Sequence, residues 1–407
     1  MTSTLDDRST QPLAGVTVVD LGQVFSVPYC TLLLAYLGAE VIKVEPPIGD
    51  LTRHRRSDAE SYAYVMLGSN KKSVCLDLKT PEGYDLVADL IRRADIVVEN
   101  FGPGTMERLN LSYETLAETN PGVILGSLQG FNRHGPRRDL KAMDITIQAM
   151  TAVMSVTGFA ENPPVKAGVA IADMISGVTL TVGLLAALYD RERTGVGQHV
   201  EVAMQDSLIP TLVSNVSGFF ESEGRLPERT GNLHAGVAVA PYNAYECSDG
   251  WLTILCAGDK QWADLLHVMG REDCLSDVRF ADTPSRAANV TEVDAVVSAW
   301  TAGLTRADVV ERVGEVGIPC ASVYTLAELI EDEFHKTAGA LPQIEHPSLG
   351  PVRVIGNPIR MSRSPETTYT AAPHLGEDSV AVLTSMLDLT PEQVEKLISS
   401  QVVRVPK

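Results

Sequence analysis

No GxGxxG follows the first apolar run of this 407-residue chain; DLGQVFSVP stands there instead. GxxxxGK[ST], GxSxG and HExxH are also missing. The dinucleotide, P-loop, serine-hydrolase and zinc-protease readings therefore lack the residues that would carry them. Cysteine is scarce. Cys30, Cys75, Cys247, Cys256, Cys274 and Cys320 form no CxxC pair, and none has a His at zinc-ligand spacing. A metal site is not expected, and reduced thiols in a cytoplasmic protein are. Positive charge is also short. Lys and Arg number 33 against 52 Asp and Glu, a net charge of −19. That balance excludes a general nucleic-acid surface, which needs basic residues to meet phosphates, but leaves room for one local basic pocket. Met1 to Gln11 hold no apolar stretch, so no signal peptide is expected there.

One long apolar run is present. Ala167 to Tyr189 reads AGVAIADMISGVTLTVGLLAALY, long enough to span a bilayer. Asp173 inside it would cost about 2.5–3.5 kcal/mol at a membrane centre. The run also holds three glycines and stands in mid-chain, so it reads as a buried strand followed by a buried helix. With 44% apolar and 21% charged residues the chain has the composition of a folded protein of two or three units.

The first 130 residues alternate in type. VTVVDL (16–21), EVIKVE (40–45), SVCLDL (73–78), DIVVENF (95–101) and VILGSL (123–128) read as strands. Between them lie helix-like segments, one opened by Thr80 as cap with Pro81 at the first helical position. Strands alternating with helices predict a doubly wound α/β domain around a parallel sheet. HVEVAM (199–204) adds a strand, and the pattern breaks in the Glu-, Gly- and Asn-rich stretch 221–236. A smaller α+β unit is expected beyond it, with a strand at 251–256 and helices near 260–269, 291–303 and 306–315. Thr305 with Asp308, and Thr390 with Gln393, have the spacing of capping boxes.

Several residues could carry chemistry. Gly102, Pro103 and Gly104 make a sharp turn at a strand's carboxyl end, and free N–H groups at a helix start there suit a phosphate. Arg108 lies one turn on. Asn70 and Lys71, Lys141 and the basic run Arg53-His54-Arg55-Arg56 could together form a pocket for an anionic ligand. Asp173 is the most unusual residue, a carboxylate in a stretch expected to be buried. An N-cap role for the following helix and a role as nucleophile towards an activated acyl group are compatible readings.

PLAGVTVVDLGQVFSVPYCTLLLAYLGAEVIKVEPPIGDLTR (12–53), NKKSVCLDLKTPEG (70–83), ADIVVENFGPGTMERL (94–109), the Gly168–Asp173 segment and RTGVGQHVEVAMQDS (193–207) together resemble the family III CoA-transferases. That family includes formyl-CoA, carnitine-type and dicarboxylate CoA-transferases and is related to the α-methylacyl-CoA racemases. Weaker similarity continues through NPPVKAG (162–168), PYNAYECSDGW (241–251) and VGIPCASVYT (316–325) to HLGEDS (374–379).

The resemblance implies an interlocked, ring-like homodimer. It also implies a large Rossmann-like CoA-binding domain built from residues 1–225 and 326–407, with a small α+β domain, 226–325, inserted between. It implies Asp173 as the catalytic residue, forming an aspartyl anhydride and an aspartyl-CoA thioester. Val24, Phe25, Asn70, Lys71, Asn100, Phe101, Arg108 and Lys141 match CoA-contacting positions. Coenzyme A enters as substrate, and no tightly bound cofactor or metal is implied. Oxyanion stabilisation is expected from backbone N–H groups near the helix start and in the 234–238 loop, with His234 and Gly236. The Arg53–Arg56 cluster with His54 suits a second substrate carboxylate, as in succinate, malate, mesaconate or citramalate, and equally the CoA 3′-phosphate or solvent; intramolecular C1–C4 transfer is a variant. Asp144 could orient the substrate.

Two departures bear on specificity. Phe25 stands where formyl-CoA transferase has Gln, and GNLHAGVAVAP (231–241) has fewer glycines than that enzyme's loop, so oxalate is not the expected acid. Met143-Asp144 replaces the racemases' His-Asp pair, and two-sided proton exchange needs a base on each face. A racemase-like isomerase and a non-catalytic acyl-CoA-binding protein are the alternatives.

Overall fold

The structure, a computed structural model, describes residues 11–55, 61–225 and 227–406, with only the backbone of Arg55. The signal-peptide reading of the first residues and the assignment to Arg56 lie outside the described residues. Two compact units are present. The first takes Met1–Ile147, Ala170–Leu208 and Asp332–Lys407; the second takes Gln148–Val169 and Ile209–Glu331. The division falls at Leu208, ahead of the polar stretch 221–236, and the segment 148–169 belongs with the second unit.

In the first unit, β1 (Thr17–Asp20), β2 (Glu40–Glu45), β3 (Lys71–Leu76), β4 (Ile96–Glu99), β5 (Ile124–Gln129) and β6 (His199–Ala203) form one parallel sheet in the order β3-β2-β1-β4-β5-β6. A short strand, Val403–Arg404, pairs antiparallel with β3. Apart from the edge strand β6, the strands are buried on both faces, as a helix-covered parallel sheet requires. Helix α1 (Ser26–Tyr36) follows β1, and α2 (Pro81–Arg92) follows β3. The start of α2 is as its sequence predicts. Thr80 Oγ1 accepts the Gly83 N–H, Pro81 sits in the first turn, and Leu86, Val87, Leu90 and Ile91 face the core.

The long apolar run differs from its expected form. No strand precedes the helix; α4 runs unbroken over Ile171–Thr194. Helix α4 packs on α1, β5 and β6. Its length and composition would suffice to cross a membrane. Leu180, Leu184 and Leu188 are buried, while Val178, Val182 and Tyr189 are exposed by 42%, 62% and 69%.

The second unit holds an antiparallel sheet of β7 (Tyr242–Cys247), β8 (Gly250–Leu255) and β9 (Cys320–Ser322). Helices Asp259–Met269, Val290–Thr301 and Arg306–Glu315 cover it. Both expected capping boxes form, Thr305 with Asp308 here and Thr390 with Gln393 in the first unit.

Candidate active site

The strand order reverses between β1 and β4, so the loops leaving these neighbours part at their carboxyl ends and open a crevice. A cavity of about 580 Å³ lies there. The β1–α1 loop supplies Gln23, Val24 and Ser26, and the β4 loop supplies Asn100 to Pro103. The segment after β5 supplies Arg138 and Leu140 to Asp144, and α4 supplies Asp173.

The two loops lock each other. Asn100 Oδ1 accepts the Gln23 N–H at 2.9 Å, and its Nδ2 donates to the Gln23 carbonyl at 2.8 Å. Behind them, Gly22 N–H donates to Asp20 Oδ1 at 2.8 Å, and Lys43 Nζ donates to the Gly22 carbonyl at 2.6 Å. These bonds hold Val24 at φ +66°. A β-branched side chain disfavours that conformation by about 1–3 kcal/mol, and it persists only where its surroundings impose it.

Asp173 stands in the first turn of α4 but does not cap the helix. The cap residue, Ala170, offers no side-chain bond. Instead Asp144 reaches across: its Oδ1 accepts the N–H of Ala172 at 2.8 Å and that of Asp173 at 3.3 Å. Asp173 is thereby left to face the cavity. Burial, reinforced by the negative charge of Asp144, pushes its carboxyl up to about 6, while a hydrogen bond from Ser26 pulls the other way. Ser26 comes close because α1 and α4 touch at Gly177, where a Cβ would lie 2.5 Å from the Ser26 carbonyl oxygen. A half-desolvated carboxylate that is ionised at neutral pH, in a cavity that Arg138 and Lys141 also line, is equipped to attack an activated carbonyl in an anionic thioester.

Of the residues nominated from sequence, Val24, Asn100, Phe101, Lys141, Asp144 and Asp173 line this one cavity. Others do not. Lys71 is not a loop lysine: β3 begins at it and turns its side chain inward. Its ammonium is buried, 3.0 Å from Asp20 Oδ2, and donates to the Pro28 carbonyl and Thr31 Oγ1. Arg53 makes a paired bond to Glu45 at 2.7 and 2.8 Å, lies over the Tyr64 ring and donates to the Pro373 carbonyl. His54 is exposed and contacts the Ile48 carbonyl. Asn70 pins the C-terminal segment through the Thr368 carbonyl and the Thr370 N–H. Phe25 packs with Leu32, Tyr36 and Leu67.

Arg108 is exposed and braces the turn beside the cavity, donating to the Pro103 carbonyl and Thr105 Oγ1. The helix there, α3 (Thr105–Arg108), is a single turn, and its Thr105 N–H is already bonded to the Gly102 carbonyl. One N–H of the expected open helix start is therefore already taken. His234 and Gly236 belong to the second unit, where His234 Nδ1 accepts the Gly236 N–H at 3.1 Å and closes a turn. Sequence reasoning missed Ser26, Gln23 and Arg138. Only Arg138 had a visible signal, the run Arg137-Arg138 three residues before Lys141.

A crevice at the switch point of a parallel sheet, with a half-buried carboxylate in its wall and no nicotinamide fingerprint, sets this α/β protein apart from the dinucleotide-binding ones. The model of CoA-transferase family III matches residues 13–379, and the chain belongs to that family. It is 34% identical to succinyl-CoA–D-citramalate CoA-transferase of Chloroflexus aurantiacus, across 97% of this chain and 99% of that one. It is 36% identical to succinyl-CoA:mesaconate CoA-transferase of Haloarcula hispanica, across 91% and 95%. With formyl-CoA:oxalate CoA-transferase of Streptomyces avermitilis it shares 34% identity, across 97% and 100%. Among solved structures it is similar to a CaiB/BaiF family protein from Brucella suis, with a TM-score of 0.81 and 32% identity, covering 93% of this chain and 100% of that one.

Proposed function

We propose that this family III enzyme moves CoA from succinyl-CoA to a small dicarboxylic acid through covalent intermediates on Asp173. The observation that carries the reading is Asp173 itself, held at the cavity with its carboxyl raised to about 6 and its helix capped by another residue. The donor is suggested by the two relatives named for succinyl-CoA, and the acceptor class by citramalate and mesaconate in the same names. Arg53, already paired with Glu45, does not supply the contact to the second carboxylate.

In the first step an Asp173 carboxylate oxygen attacks the thioester carbonyl. The C–S bond breaks, CoA thiolate leaves and a mixed anhydride remains. The thiolate then attacks the aspartyl carbonyl, releasing succinate and leaving an aspartyl-CoA thioester. The acceptor carboxylate attacks that thioester, thiolate leaves again, and its return to the acceptor's acyl carbon frees product and regenerates Asp173. Each step exchanges one acyl bond for another of similar energy, so no external energy source is needed. Lys141 and Arg138 hold the CoA phosphates, and backbone N–H groups of the locked loops face the oxyanions. The chain works as a homodimer, with the exposed apolar face of α4 covered in the assembly.

The test is intact-protein mass after brief incubation with succinyl-CoA. A mass gain equal to covalent CoA, absent in Asp173→Ala, is expected. Folded Asp173→Ala that retains most of the transfer rate overturns the reading. Formyl-CoA run in parallel distinguishes the oxalate-type relatives' chemistry.

A further inference from the structure

Consecutive residues at the end of a strand point to opposite faces of the sheet. At the end of β4 this sends Asn100 to the β1–α1 loop and Glu99 the other way. Glu99 is 1% exposed, an unusual place for a carboxyl group to which no cation among the described residues is bonded. Its Oε2 accepts the Phe101 N–H at 2.6 Å. Ser127, its register partner on β5, stands beside the same carboxyl, and Ser127 Oγ lies 2.9 Å from His199 Nε2 on β6. His199 stacks on Tyr113 at 6.0 Å between ring centres. Among the described residues Glu99 Oε1 has no hydrogen-bond partner. A buried polar group left in this state calls for a compensating role.

That role is suggested by what the bonded oxygen holds. Phe101 is the first residue of the turn whose Phe101, Gly102 and Pro103 line the cavity. Among the described residues Phe101 N–H donates only to Glu99, so this bond joins the Asn100–Gln23 clamp in fixing the start of the turn. Downstream, Arg133 binds Glu107 of α3 at 3.0 Å and Glu201 of β6 at 2.7 Å and fixes its other end.

We propose that Glu99 is a positioning residue for CoA transfer, its carboxyl group acting with Ser127 and His199 to hold the Phe101 N–H and so set the Phe101–Pro103 turn against the bound CoA. The inference rests on the CoA-transferase reading above. It assigns the work to an acceptor oxygen and not to a charge. Burial pushes the Glu99 carboxyl up to about 7, with Ser127, the Phe101 N–H and Arg133 opposing and Glu107 assisting, so the neutral acid is well populated at physiological pH. An amide of the same shape can do the same work.

Glu99→Gln and Glu99→Leu separate these ideas, with folding of each checked by circular dichroism and thermal unfolding. The readouts are the dissociation constant for CoA by calorimetry, KM for succinyl-CoA, and the single-turnover rate of Asp173 acylation at saturating thioester. Glu99→Leu is expected to raise the dissociation constant and KM about tenfold, with the saturated rate changed less than threefold. Glu99→Gln is expected to recover most of the affinity. Ser127→Ala, a milder change that spares the Phe101 bond, is expected to raise KM about threefold and serves if Glu99→Leu does not fold. Folded Glu99→Leu or Ser127→Ala that binds CoA like the parent overturns the proposal. So does a loss in Glu99→Gln equal to that in Glu99→Leu. Parent protein that binds CoA but forms no adduct at Asp173 sinks the transferase reading and leaves the binding comparison to decide the role of Glu99.

Discussion

Asp144 caps the helix that presents Asp173. One oxygen, Oδ1, takes the N–H of Ala172 at 2.8 Å and of Asp173 at 3.3 Å. A carboxylate at a helix start is favoured by the N-terminal end of the helix dipole. The same charge opposes ionisation of Asp173. Asp144 thus frees Asp173 from capping and at the same time raises the pH at which Asp173 can act as a nucleophile. Asp144→Asn keeps an acceptor oxygen and removes the charge. The acid limb of Asp173 acylation, expected near pH 6 in the parent, should move to lower pH in this variant. Asp144→Ala should also lose the cap, about 1 kcal/mol of stability. A pH–rate profile of the Asn variant that coincides with the parent's would refute the coupling.

The raised Asp173 carboxyl has a consequence for stability. Its folded value, about 6, lies above the ordinary 3.8, so the folded state binds this proton more tightly than the unfolded chain. The stabilisation from protonation is full below about pH 4 and is lost as pH rises towards 6 and beyond. At pH 7.5 the ionised group is a liability, which a neutral side chain of similar shape relieves. Asp173→Asn, inactive in transfer, should therefore be more stable than the parent at pH 7.5, by on the order of 1–2 kcal/mol. The difference should vanish by pH 4. Denaturant unfolding at the two pH values measures both, and an Asn variant less stable at pH 7.5 contradicts the assignment.

Gly177 is required by the approach of α1 to α4. A Cβ there would meet the Ser26 carbonyl oxygen at 2.5 Å and Tyr29 Cδ1 at 3.5 Å. Backbone cannot yield as a side-chain tip can, so the helices must separate and carry Ser26 away from Asp173. Gly177→Ala should cost about 1–3 kcal/mol in thermal unfolding, although alanine is otherwise the better helix former. Acylation of Asp173 should fall with it. A variant of unchanged stability and rate would show that the contact does not position the nucleophile.

Local rules recovered much of this fold. The six strands of the parallel sheet and the caps at Thr80, Thr305 and Thr390 depend on residues a few positions apart, which a sequence displays directly. Asp173 was visible because a carboxylate is conspicuous in an apolar run. Its partners were not. The Asp144 cap spans 28 residues and the Asn100–Gln23 clamp 77, distances that only the fold closes. Arg53 looked like one member of a basic cluster because nothing local reveals its bond to Glu45 on the neighbouring strand. Lys71 was misplaced through register: a strand expected at residue 73 begins at 71, which turns a loop lysine into a core one.

That difference sets apart two lysines that look alike in the sequence. Lys71 is buried against Asp20, within reach of Lys43, and burial holds its ammonium below its ordinary value. Burial works against the Asp20 carboxylate too, but Lys43 and Lys71 outweigh it and keep Asp20 ionised. Removing one ion of such a pair leaves the other uncompensated, at about 3–5 kcal/mol. Lys71→Met should therefore destabilise the protein strongly and, through Asp20 and Gly22, loosen the loop that carries Val24. Lys141 is exposed at the cavity, and Lys141→Met should leave unfolding unchanged while raising KM for acyl-CoA several-fold, more at low salt than at high. Unfolding curves and salt-dependent KM for the two variants make the comparison. If Lys71→Met were fully stable and defective only in KM, Lys71 would be a CoA contact after all, and the closed Asp20 network would have to open when CoA binds.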